Sequence, residues 1–314
     1  MQFTTKIPIS KSNFPIDYSS KIVSLGSCFA ENMADKLDYY KFQNTTNPFG
    51  IIFNPVSIER IVQRSIDREF FTENDIFFHN ERWYCFEVHS ELSHEDKAIF
   101  LSNLNDILEF TYQQISQASH IIITYGTSWV YRLQASHKIV ANCHKVPQNQ
   151  FYKEILSAEA VKIAIKNTID LIQKVNPNSH FIFTISPVRH IKDGFVENQQ
   201  SKAHLISAIH KINRNNTSYF PSYEIVMDEL RDYRFYEKDM LHPNTIAVDY
   251  IWERFCESTI SEESYPIMNE VATIQKGLSH RPFNPNSESH QQFLANLHLK
   301  IQQLQLKLPF INFS

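Results

Sequence analysis

Ser27 stands where a β-prone run gives way to a helical one. Lys21-Ile22-Val23-Ser24-Leu25 stops at Gly26-Ser27, and Phe29, Met33, Leu37 and Tyr40 then recur at helical spacing. A serine at such a junction has its hydroxyl at a sheet edge, beside the free N–H groups of a helix start. The hydroxyl can attack a carbonyl and the N–H groups can hold an oxyanion; the bland alternative is that Ser27 only caps the helix. Late in the chain comes Asp239-Met240-Leu241-His242-Pro243, directly before the next helix start. An acid and a histidine three residues apart can bring the carboxylate to one ring nitrogen while the other faces a serine. Read alone, the pair is equally a helix-capping Asp beside a surface His. Paired with Ser27, it supplies a general base for attack and a general acid for the leaving group.

Other residues carry weaker signals. Cys28 adjoins Ser27 and is a rival nucleophile, but consecutive residues at a helix start point in different directions, and a small buried thiol is the better reading. His137, Cys143 and His144 invite a metal, yet adjacent residues rarely chelate one ion and no CxxC or HExxH pattern is present, so no metal or other cofactor is expected. Arg189 and His190 follow a strand and could face a pocket to bind a polar or anionic substrate group, or could serve in a structural salt bridge. Trp129 and Tyr131 could line a sugar-sized pocket or pack as core.

These residues need a scaffold that gathers them. His120 to Tyr125 is a continuous apolar strand closed by Gly126-Thr127-Ser128, and Phe181 to Ile185 repeats the pattern up to Ser186-Pro187. Helical spacing covers Pro55 to Ile66, Asp96 to Ser116, Ala158 to Val175 and about Glu197 to Ile212; Tyr223 to Met227 reads as a further strand. Strands alternating with helices indicate parallel βαβ units, and so an α/β doubly wound sheet with active-site residues at the carboxyl ends of its strands. Two β-rich insertions, about 70–95 and 129–150, interrupt the alternation, the second a hairpin around Gln134-Ala135-Ser136-His137. The α/β domain spans 1–276. Residues 277–314 form a C-terminal loop and an amphipathic helix, His290 to Leu306, with Phe293, Leu297, Ile301 and Leu304 on one face, for packing on the domain or on a partner subunit in a homodimer.

Bulk properties narrow the function classes. The 314 residues, 42% of them hydrophobic, suffice for a large buried core. A formal charge of -4 with scattered Lys and Arg argues against nucleic acid as a partner. The opening residues lack a secretory apolar stretch and no later run approaches the roughly 18 apolar residues of a membrane span, so a cytoplasmic protein without membrane contact is expected. Four widely spaced cysteines fit free thiols in a reducing compartment. Only five glycines occur, against the roughly 22 that ordinary usage near 7% predicts, so each marks a place where the backbone needs one.

Gly26-Ser27-Cys28-Phe29-Ala30 resembles the name-giving motif of the GSCFA family, which belongs with the SGNH or GDSL-like hydrolases. Asn47-Pro48-Phe49-Gly50 with Asn54-Pro55, Gly126-Thr127-Ser128-Trp129, Asn142-Cys143-His144-Lys145, Ser186-Pro187-Val188-Arg189 and the run from Asp239 to Pro243 are similar to that family too, so the likeness covers about Lys21 to Glu257. It implies a flavodoxin-like sheet and a serine esterase acting on an ester such as an acyl group of a carbohydrate or small metabolite. Ser27 would be the nucleophile, Asp239 and His242 the base pair, and the backbone N–H groups of Ser27 and Gly50 oxyanion donors. The SGNH pattern has an asparagine two residues after the glycine matched by Gly126, whereas Ser128 stands here. A hydroxyl of Thr127 or Ser128, or the amide of Asn142, would then be the third donor. Ser128 also leaves open a noncatalytic glycan- or partner-binding domain, and acyl transfer to an alcohol would use the same residues.

Overall fold

The computed structural model describes residues 4–313. Five parallel strands form the central sheet in the order β2-β1-β5-β9-β10: β1 (Lys21–Gly26), β2 (Gln43–Thr46), β5 (His120–Tyr125), β9 (His180–Ile185) and β10 (Thr217–Phe220). This is a doubly wound α/β fold. The order reverses between β1 and β5, and the crevice outside the carboxyl ends of these two strands is the topological switch point where such sheets place ligands.

Side chains of the central strands alternate between two cores, as the two-residue period of a strand requires. Val23, Leu25, Ile121, Ile123, Phe181 and Phe183 join one buried cluster, with residues of α2 (Pro55–Ile66), α3 (Lys97–Gln117), α4 (Ala158–Val175) and α5 (Phe195–Ile209). Ile22, Ile122 and Ile182 join the other, with residues of α1 (Cys28–Tyr39), α7 (Thr245–Thr259), α8 (Tyr265–Leu278) and α9 (Glu288–Lys307). Both faces are therefore covered, which explains why β5 is apolar along most of its length instead of alternating.

The insertions are β-rich. The hairpin of β3 (Phe77–His79) and β4 (Arg82–Tyr84) turns through Asn80 and Glu81, both at positive φ. A separate antiparallel sheet joins β6 (Trp129–Leu133), β7 (Ile139–Val140) and β8 (Phe151–Ile155). The two insertions meet where the Ala141 N–H donates to Phe86 O at 2.8 Å. The third strand, β8, extends this sheet beyond the expected hairpin.

Three other elements differ from the sequence reading. Tyr223 to Met227 is not a strand: Pro221 follows β10, and the chain coils through α6 (Ser222–Glu224) into a π-turn, Ile225–Glu229. The strand β2 was not anticipated, because Gln43-Asn44-Thr45-Thr46 is a half-buried polar edge strand whose pairing to β1 is through the main chain. The helix α8, with Met268, Val271 and Ile274 buried, was also not anticipated. The helix α9 folds back onto α8: Leu297 and Leu304 are buried in the second core, and a Cβ at Gly277 would lie 2.7 Å from Leu297 Cδ1.

Candidate active site

The turn after β1 is built by glycine. Gly26 has φ 139°, and a Cβ there would lie 2.2 Å from Thr124 O on β5, so only glycine lets the two strand ends approach. Its N–H donates to Asn47 Oδ1 at 2.8 Å. Ser27 then occupies the N-cap position of α1, but its side chain makes no capping hydrogen bond. The residue is 2% exposed, and Oγ is buried without any hydrogen-bond partner among the described residues. Leaving a buried hydroxyl unpaired costs about 1–3 kcal/mol, which a purely structural cap would not incur. The Cys28 thiol beside it is raised by burial, so it is held as a thiol and not as the nucleophilic thiolate.

Asp239 and His242 are in contact. His242 Nδ1 lies 2.6 Å from Asp239 Oδ2. The N–H groups of Leu241 and His242 both donate to Asp239 Oδ1, at 2.9 and 3.1 Å, and Met240 takes φ 61° to allow this tight turn. These backbone bonds, with the imidazole, lower the Asp239 carboxyl to about 2. An ionised carboxylate only accepts, so the ring proton sits on Nδ1 and Nε2 is left as acceptor. Both side chains are 45% exposed, and His242 forms no hydrogen bond with Ser27.

Between these halves runs the segment after β9. Arg189 N–H donates to Leu241 O at 3.2 Å and its Nη1 to Met240 O at 3.3 Å. The guanidinium lies among Phe195, Tyr233 and Tyr236, and forms no ion pair among the described residues. It borders a cavity of about 250 Å³ that Met227, Arg231, Tyr233 and Tyr236 also line. His190 leans the other way. Its Nε2 is 3.3 Å from where a Gly126 Cβ would be, its ring packs on Phe53, and Nε2 is buried without a partner among the described residues. Burial, with the charges of Lys202 and His242, pushes this histidine down to about 3.

Beneath Gly126 lies Lys202 of α5, 1% exposed, with Nζ donating to Gly126 O at 2.7 Å and Ser186 O at 2.6 Å. Burial pushes its amine down to about 7. Neither its role nor its burial was read from the sequence. The signal was present, however: Asn198, Ser201, Lys202 and Leu205 are all buried and fall at i, i+3, i+4 and i+7, which places the lysine on the core-facing stripe of α5.

Several of the expected oxyanion donors already have hydrogen-bond partners. The Ser27 N–H donates to Thr124 O at 3.0 Å, and the Gly50 N–H, in a turn with φ 73°, donates to Asn47 O at 2.7 Å. Ser128 is fully buried and its Oγ turns to Ser201, 3.2 Å from Oγ and 3.3 Å from the carbonyl. Thr127 Oγ1 lies 2.8 Å from the same Ser201 hydroxyl. Both hydroxyls are thus tied to α5. Asn142 turns its Oδ1 to the N–H of His144 within the insertion, next to Ala141, which pairs with Phe86. Gly126 does sit at the site, but its N–H donates to Phe53 O at 2.8 Å; its contribution is the missing side chain.

The remaining candidates lie in the insertions. His144 has both ring nitrogens engaged, Nε2 2.7 Å from Cys85 O and Nδ1 2.9 Å from Ser90 Oγ. Trp129 donates its indole N–H to Glu197 O, and Tyr131 packs on Val140, Val146 and Phe151. Among the described residues no helix is long and apolar enough to cross a membrane.

A model of the GSCFA family matches residues 21–255, and a model described as the GSCFA domain protein C-terminal domain matches residues 271–314. The first match contains Ser27, Gly126, His190, Lys202, Asp239 and His242; the second starts inside α8 and takes in α9. No curated protein matches the chain.

Proposed function

The chain belongs to the GSCFA family, and from that premise we propose that it is a serine esterase of the SGNH type. The observation that carries this reading is the Ser27 hydroxyl, buried and unpaired at the start of α1 although the helix offers N–H groups for it to cap. A polar atom kept unpaired in this way at a topological switch point is suited to react with a ligand.

In this reading Ser27 Oγ attacks the ester carbonyl while His242 Nε2 takes its proton. Asp239 holds the imidazole in the required tautomer and stabilises the imidazolium that forms. The tetrahedral intermediate collapses as His242 returns the proton to the leaving alcohol, giving an acyl-enzyme. Water, with His242 again as base, then releases the acid. The half-exposed loop 239–242 closes on Ser27 when substrate is bound, since catalytic hydrogen bonds often tighten only in that complex. No cofactor takes part. Arg189 and the tyrosines beside it suit a polar acceptor such as a carbohydrate or a small metabolite.

The gap between Ser27 and His242 favours one rival, a binding domain that recognises a glycan or protein without reacting. A fluorophosphonate probe followed by peptide mapping separates the two. Covalent labelling of Ser27 that disappears in Ser27→Ala supports the esterase. Labelling at Cys28, at another serine or nowhere overturns it.

A further inference from the structure

Two buried polar atoms without partners among the described residues flank the crevice between β1 and β5: Ser27 Oγ and His190 Nε2. Their strand ends are tied together. Gly26 pairs in register with Thr124, and the Ser27 N–H donates to Thr124 O, two residues before Gly126. The loop that follows β2 stitches the same ends, with Ile52 N–H on Gly26 O and Phe53 O receiving the Gly126 N–H. His190 Nε2 lies over Gly126 in the space a side chain would fill. The backbone N–H groups of Ser27 and Gly50 and the hydroxyls of Thr127 and Ser128 are already engaged elsewhere.

Resting on the esterase reading, we propose that His190 is a catalytic residue, donating its Nε2–H to the oxyanion that forms when Ser27 attacks the ester. It takes the place expected of an asparagine side chain beside Gly126. Three features fit. The His190 N–H donates to Asn198 Oδ1 at 2.9 Å, which anchors the residue to α5. Phe53 packs against the ring and helps fix its plane. Burial, above all, keeps the imidazole neutral, so its N–H is a fixed dipole, and a neutral histidine can serve as an electrophile toward a developing oxyanion. The donor transfers no proton: it stabilises negative charge while Ser27 gives its proton to His242. The lysine lies below, held by two carbonyls, as a positioning residue for Gly126.

The test compares His190→Gln, whose amide can reach the Nε2 position with an N–H, against His190→Met, of similar length without a donor. Hydrolysis of a short-chain aryl ester is followed in both, with thermal melts alongside. We expect kcat to fall about 10²- to 10³-fold in His190→Met with KM changed less than threefold, as for loss of one oxyanion donor. His190→Gln should retain at least tenfold more activity than His190→Met. The affinity of a trifluoromethyl ketone, which forms a tetrahedral adduct, should fall in parallel with kcat/KM. A Gln-to-Met ratio below ten overturns the proposal, whatever the melts show, because a purely structural role would not distinguish a donor from a methyl thioether of the same length. Loss of all activity in Ser27→Ala together with such a ratio would reject His190 and leave the esterase reading standing; full activity in Ser27→Ala would reject the esterase reading itself.

Discussion

The two halves of the candidate site are built by opposite means. Ser27 is buried, its backbone is fixed by a strand pair and a helix start, and its hydroxyl is left without a partner. Asp239 and His242 are half exposed on a loop; the hydrogen bonds that orient their side chains lie within four residues of sequence, and Arg189 holds the loop's Met240 and Leu241 carbonyls. The buried half is positioned by tertiary packing and leaves its reactive atom unsatisfied. The exposed half is shaped by its own turn and tied to the rest of the molecule through Arg189. In the proposed esterase reading, a buried nucleophile is paired with a half-exposed base that can exchange its proton with solvent.

This contrast can be broken most sharply at Ser27. Ser27→Ala should lower ester hydrolysis by about 10⁴-fold or more. Because the hydroxyl caps nothing, urea unfolding should change by less than about 1 kcal/mol. A large destabilisation would mean that Ser27 is structural after all. On the exposed half, His242→Ala should approach the loss seen for Ser27, whereas Asp239→Ala should cost one to two orders of magnitude less, as for removal of the carboxylate in other triads. Neither should move the melting temperature appreciably. Equal losses from Asp239→Ala and His242→Ala would show that the loop's shape matters more than the charge.

The halves should also answer to different ends of the pH scale. Asp239 is held near 2 and stays ionised in ordinary buffers; what its ionisation adds to the fold is present above the usual carboxylate range and fades only as pH falls through about 2. Lys202, under the buried half, acts with the same sign but in a much higher window. Its folded-state value near 7 lies below the ordinary 10.5, so between these values the unfolded chain binds a proton that the folded chain does not. Its effect is therefore to make stability rise with pH across that window. Urea melts at pH 7, 8.5 and 10 should show a wild-type stability that gains on that of Lys202→Met as pH increases. Parallel curves would mean that the amine is not neutralised by folding.

The smallest effects should fall on residues that sequence reasoning put in the oxyanion hole. Ser128→Ala and Asn142→Ala should each leave kcat within about threefold, since one hydroxyl is turned to Ser201 and the amide oxygen to His144. Ser128→Ala should cost about 1 kcal/mol in stability for its buried hydrogen bond. A tenfold loss of rate in either would return that side chain to the hole.

What could be read from the chain alone was governed by local rules. The buried strands at His120 and Phe181, the helix from Pro55 to Ile66, the Gly26-Ser27 junction and the Asp239–His242 turn each depend on residues close in sequence, through apolar periodicity, glycine geometry and short-range capping. Strand β2 and the turn at Tyr223 were not legible, because a polar edge strand is defined by the neighbour it pairs with and a π-turn by the helical path it interrupts. The hole proposed around Ser27 was legible only as a set of residue types. Which N–H groups and hydroxyls remain free depends on partners up to 74 residues away, such as Ser201 for Thr127. Tertiary packing thus engaged the expected donors and left His190 Nε2 without a partner among the described residues, since a hydrogen-bonding group is available to a substrate only when the fold has given it no other partner.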